Sequence, residues 1–72
     1  MRTRRTTRFV HEGRYAAEVE IDLIEDDHEW APYISMEDAK KLDRVRLALK
    51  DGDIATASKL SHVYEMKPVA AE

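Results

Sequence analysis

Apolar and polar side chains alternate between residues 14 and 25. Tyr15, Ala17, Val19, Ile21 and Leu23 fall on one face, and Glu18, Glu20 and Asp22 fall on the other. A period of two marks a strand with one face against a core. Upstream, Thr6 to His11 is rich in β-formers, and His11-Glu12-Gly13 supplies a glycine able to take positive φ in a tight turn. Together the two runs predict an antiparallel hairpin whose register is open. A three-residue loop sets Phe9 beside Tyr15 on the buried face, whereas a two-residue loop sets Val10 there. After a polar turn over residues 26–29, Trp30-Ala31-Pro32-Tyr33-Ile34 fits a short third strand at a sheet edge, where proline is tolerated.

The period then lengthens. Ser35 is placed to cap a helix, and Glu37 and Asp38 put negative charge at the positive end of its dipole. Ala39, Leu42, Val45 and Leu49 form the apolar stripe, with Leu47 pointing away from it. Lys50-Asp51-Gly52-Asp53 reads as a stop followed by a start: Gly52 takes the left-handed C-terminal position and Asp53 caps the next helix. Ile54, Ala57, Leu60 and Tyr64 recur on one helical face, although His62 to Met66 also alternate as a final strand would. The expected fold class is α+β: an N-terminal β-hairpin, or a three-stranded antiparallel sheet if the third run pairs, followed by a helical hairpin. Residues 1–7 read as a basic flexible arm, 8–67 as a single α+β domain and 68–72 as a flexible tail.

Size sharpens this picture. At 72 residues, a single core narrowly offsets chain entropy, and the absence of cysteine removes disulfides and the commonest structural zinc sites. Association with a partner or a second copy is therefore favoured. There is no apolar run of membrane-spanning length, and the arginine-rich start is not followed by the apolar stretch of a secretory signal. The expectation is a cytoplasmic protein without membrane contact.

Charge is sorted along the chain. Arg2, Arg4, Arg5 and Arg8 precede any acid, while Glu12 to Asp38 hold ten acids against the single Arg14; the net charge of -3 hides the split. Such a division suits contact with other macromolecules. The four arginines are candidates for phosphate contact, but no aromatic is interleaved before Phe9 for base stacking. Ala48 and Gly52 have the spacing of a helix-turn-helix, but aspartates flank the glycine and the second helix carries only Lys59 as a cation. Glu25, Asp26, Asp27, His28 and Glu29 lack the alternation and central glycine of an EF-hand loop, so no metal ligands are assigned. His11, His28 and His62 are scattered, and no phosphate loop or nucleophile elbow occurs. No catalytic residue and no cofactor are expected.

Tyr15-Ala16-Ala17-Glu18-Val19-Glu20-Ile21-Asp22-Leu23-Ile24, followed by Trp30 to Ala39 and Lys41-Leu42-Asp43, resembles a group of short bacterial proteins, some of which accompany small toxin genes. The chain is also loosely similar to HicB-type antitoxins, which begin with strands bearing a Tyr-x-Ala-Glu-Val-like segment. It departs from them in lacking their Pro-Gly-Cys-like turn and in having a helical hairpin in place of the DNA-binding extension. The concentrated acid in a chain too small for an obvious active site predicts a non-enzymatic binding protein that masks a basic protein partner, and the resemblance adds that it is antitoxin-like. The contact residues expected are Glu18, Glu20, Asp22, Trp30 and Tyr33, and a homodimer is possible. The alternative is a nucleic-acid-binding regulator acting through Arg2, Arg4, Arg5 and Arg8.

Overall fold

The computed structural model describes residues 2–27 and 31–69. The chain runs β1 (Arg2–Glu12), β2 (Tyr15–Glu25), β3 (Tyr33–Ile34), α1 (Met36–Lys50), α2 (Ile54–Leu60) and β4 (His62–Glu65), an α+β arrangement. β1 and β2 form the long hairpin. Glu12 pairs with Tyr15 around a two-residue loop, and the register continues to Arg2 opposite Glu25. Gly13 has φ +59 and Arg14, like every other described non-glycine residue, does not have positive φ, which is the φ pattern of a type II′ turn with glycine first. This settles the register: Val10 lies opposite Ala17 on the core side, and Phe9 lies opposite Glu18 on the other.

Two expectations are corrected. Residues 2–7 are not an arm but the first half of β1, paired with β2 along their whole length. Tyr64 belongs to β4 rather than to a helical face, because α2 ends at Leu60 and residues 62–65 pair with Tyr15–Glu18. Both corrections have one cause. Short β-prone segments take their conformation from the partner strand, which lies far away in sequence. Within the proposed tail, residues 68 and 69 carry no helix or strand, and residues 70–72 lie outside the described set.

β2 is the central strand. β1 flanks one side, and β4 and β3 share the other, β4 beside Tyr15–Glu18 and β3 beside Leu23–Ile24. Residues 19–22 of β2 therefore face a gap between two short strands, and α1 fills it with side chains. The Asp22 amide donates to the Asp38 carboxylate at 2.8 Å, and the Lys41 ammonium donates to the Glu20 carbonyl at 2.8 Å. Asp38 thus serves the sheet as well as the helix start, where its own amide donates to the Ser35 hydroxyl at 3.1 Å.

The core lies on one side of the sheet. Ala17, Val19 and Ile21 of β2 meet Val45, Ala48 and Leu49 of α1 and Ala57 of α2, with Val10, Tyr15, Ile34, Leu42, Ile54, Leu60 and Val63 packed around them. Three of these seven buried residues are alanines, which allow close approach but bury little area each. Leu47 is exposed, consistent with its position off the apolar stripe, and is not among the residues packed against the core.

The junction between the helices follows the expected chemistry. Gly52 has φ +76, its amide donates to the Leu49 carbonyl at 3.1 Å, and the Asp53 amide donates to the Ala48 carbonyl at 2.8 Å. These two bonds define a Schellman motif. Asp53 then accepts from the Thr56 amide and hydroxyl, and these hydrogen bonds hold its carboxyl below its ordinary value. Gly52→Ala meets no atom within 4 Å, so its cost is purely the left-handed backbone. It is expected to lower unfolding free energy by about 1–2 kcal/mol with an unchanged denaturant slope, read from urea titration.

Candidate protein-docking face

The helices cover one face of the sheet and leave the other open. Because directly opposed residues share a face, the open side can be read from the registers. It carries Thr3, Arg5, Thr7, Phe9 and His11 from β1, Ala16, Glu18, Glu20, Asp22 and Ile24 from β2, His62 and Tyr64 from β4, and Tyr33 from β3. The Met66 amide donates to the Arg14 carbonyl at 2.6 Å, which continues the ladder and sets Met66 on the same side.

Three zones result. At the hairpin end, Phe9, Glu18 and His62 make one row across three strands, and His11, Ala16 and Tyr64 make the next. Phe9 is 67% exposed, Tyr64 52% and Met66 44%. In the middle, Arg5 spans two acids, with its Nε donating to Asp22 at 2.8 Å and a terminal nitrogen to Glu20 at 2.9 Å. The bond to Asp22, then that to Glu20, raises the Arg5 guanidinium above its ordinary value. At the far end Tyr33 stands opposite Ile24, 44% exposed.

The residues singled out from the sequence are therefore partly assembled. Glu18, Glu20, Asp22 and Tyr33 do share a face; Trp30 lies outside the described residues, as do His28 and Glu29 of the acidic turn. The four arginines do not form one surface. Strand alternation puts Arg5 on the open face and Arg2, Arg4 and Arg8 on the helix side. Arg2 and Arg4 reach Glu25 at 3.3 and 3.4 Å, so three of the four arginines already sit against carboxylates.

Phe9, Tyr64 and Met66 were not among the residues expected to contact a partner. The alternation of His62, Tyr64 and Met66 was a signal for them, but it had to compete with a helical reading of Tyr64. Among the described residues no group of three or more acidic or histidine side chains is arranged to hold a metal ion, and no helix is long and apolar enough to cross a membrane. The chain matches no protein-family model, no curated protein and no solved structure. Its function must be argued from this surface.

Proposed function

We propose that this chain is a non-enzymatic protein-binding module, antitoxin-like in the sense that it masks a partner, and that the partner docks on the open face of the sheet. The observation that carries this reading is that Phe9, Tyr64 and Met66 are exposed on the same open face as Glu18, Glu20 and Asp22. Exposed aromatics bury large area with little loss of side-chain freedom, which suits an anchor. The acids beside them favour a basic partner.

The Arg5 pairs do not oppose this role. Exposed ion pairs contribute little net stability, so a cation from the partner can replace Arg5 at Glu20 and Asp22 without a large penalty. The placement of the arginines weighs against the nucleic-acid reading, because strand alternation puts Arg5 on the open face and Arg2, Arg4 and Arg8 on the other, so the four do not present one surface to phosphates.

The test is affinity purification from the native cell, using the chain and two variants. One basic protein should be recovered in fixed ratio with the parent chain. Its affinity should fall about 30-fold or more with Tyr64→Ser, the effect of losing an anchor residue. Glu18→Lys should slow association and flatten its salt dependence. Recovery of the same protein at the same affinity by Tyr64→Ser would remove the open face as the docking surface.

A further inference from the structure

A different surface, the outer edge of β1, points to a second copy of this chain. β1 pairs only with β2, so its other edge is free of strand partners among the described residues. The direction of its backbone groups can be worked out. The Asp22 amide bonds Asp38, the Glu20 carbonyl accepts from Lys41, and the Arg14 carbonyl accepts from Met66, so the even-numbered residues of β2 turn away from β1. In an antiparallel ladder, opposed residues either both face each other or both turn away. Arg5, opposite Asp22, and Thr7, opposite Glu20, therefore direct their N–H and C=O groups outward, and alternation extends this to Thr3, Phe9 and His11.

We infer that this edge pairs with the same edge of a second copy, antiparallel about a two-fold axis at Thr7, joining two four-stranded sheets into one. The register is chosen by charge. With the axis at Thr7, all eleven residues of β1 are paired: Arg2 meets Glu12, Thr3 meets His11, Arg4 meets Val10, Arg5 meets Phe9, and Thr6 meets Arg8. No arginine stands opposite another. One contact is a salt bridge, and another sets a guanidinium beside an aromatic ring. Moving the axis by one residue toward the N-terminus places Arg4 against Arg8, and moving it one residue the other way places Arg8 against itself. Like charges directly opposed destabilise a strand pair, so the neighbouring registers are disfavoured. The concentration of arginine in the first half of β1 and of Phe9, Val10 and Glu12 in the second is what makes the strand complementary to its own reverse.

Two further features fit this occupant. Among the described residues the core holds seven buried side chains, three of them alanine, and small domains of this kind gain stability by association. Beside the same edge, Arg8, Val10, Ala39, Leu42, Asp43 and Arg46 line an open groove of about 380 Å³ between β1 and α1. Asp43 and Arg46, paired with each other within the chain, bring both signs of charge to this side of the helix, as a self-associating surface requires.

Sedimentation equilibrium tests the idea directly: the chain should have twice its 8.3 kDa mass at micromolar concentration. Thr7→Pro removes an outward amide that β2 does not use. The variant should keep the fold by circular dichroism while its dissociation constant rises about 30-fold or more, the loss of two hydrogen bonds. The chain has no cysteine, so single cysteines report the register. Thr7→Cys should form a disulfide-linked dimer on mild oxidation, because the paired Cα atoms lie within disulfide range, whereas Arg5→Cys should not link to itself. A monomeric parent chain, or linking through Arg5→Cys as readily as through Thr7→Cys, would overturn the pairing. If Thr7→Pro fails to fold, the cysteine pair decides.

Discussion

Ile21→Ala is expected to remove about 2–5 kcal/mol of stability, the cost of losing a large buried side chain and leaving a cavity. Ile21 is 1% exposed and sits at the centre of β2, the strand that every other strand pairs with. A domain of this length has a total of only about 4–11 kcal/mol. The substitution therefore threatens the whole fold, because the alanines around it are too small to fill the space. Ile21→Val, which keeps the branched shape, should cost about 0.5–1.5 kcal/mol. Urea titration at one fixed protein concentration measures both, since a self-associating chain has concentration-dependent stability. A loss below about 1 kcal/mol for Ile21→Ala would mean that α1 and α2 do not cover the sheet as described.

Asp38→Ala should be the next largest effect, about 1–3 kcal/mol. The alanine leaves the Asp22 amide without its acceptor in the gap between β3 and β4, and an unsatisfied amide costs more than the bond contributed. It also removes a negative charge from the first turn of α1. Asp38→Asn separates the two effects, because it keeps an oxygen acceptor while losing the charge, and its cost should be well under half that of alanine. Hydrogen exchange at Asp22 gives a local reading. Its amide should lose protection in Asp38→Ala and retain most of it in Asp38→Asn. Equal exchange in all three proteins would show that the bond is not a seal on the sheet.

This seal also bears on the proposed docking face. Glu20 and Asp22 stand on the open side while their backbone groups are held by Lys41 and Asp38 from α1. The acids are thus presented from a stretch of β2 with no strand on that side, and their position depends on helix side chains. A binding surface built on a strand held at both edges is stiffer than one on a loop, which reduces the ordering cost on association.

Much of the fold follows from local chemistry. The alternation of Tyr15 to Leu23 identified the core face of β2, Ser35 the start of α1, and Gly52-Asp53 the junction of the helices, and all three are where the residues placed them. Each depends on contacts within a few residues: a period, a hydroxyl three positions from an amide, a glycine with positive φ. Glu18, Glu20, Asp22 and Tyr33 were likewise brought to one face by the same alternation.

Where partners are distant in sequence, local chemistry ran out. The basic N-terminal segment looked like an arm because nothing nearby pairs with it, whereas Arg5 finds Glu20 and Asp22 only after the hairpin closes. Phe9 and Val10 could exchange faces with a one-residue change in loop length, and the turn at Gly13 chose between them. Tyr64 fitted a helix and a strand equally until β2 offered it an edge. The sequence by itself determined an α+β chain with one half-buried central strand, two capped helices and charge divided along its length. Only the tertiary structure decided that the basic and acidic halves neutralise one another across β1 and β2 and that Phe9, Tyr64 and Met66 share the uncovered face. It alone also left one edge of β1 without a strand partner among the described residues. The physical reason is that strand pairing is long-range: which side a residue faces, and which charges meet, is set by a register that no single segment contains.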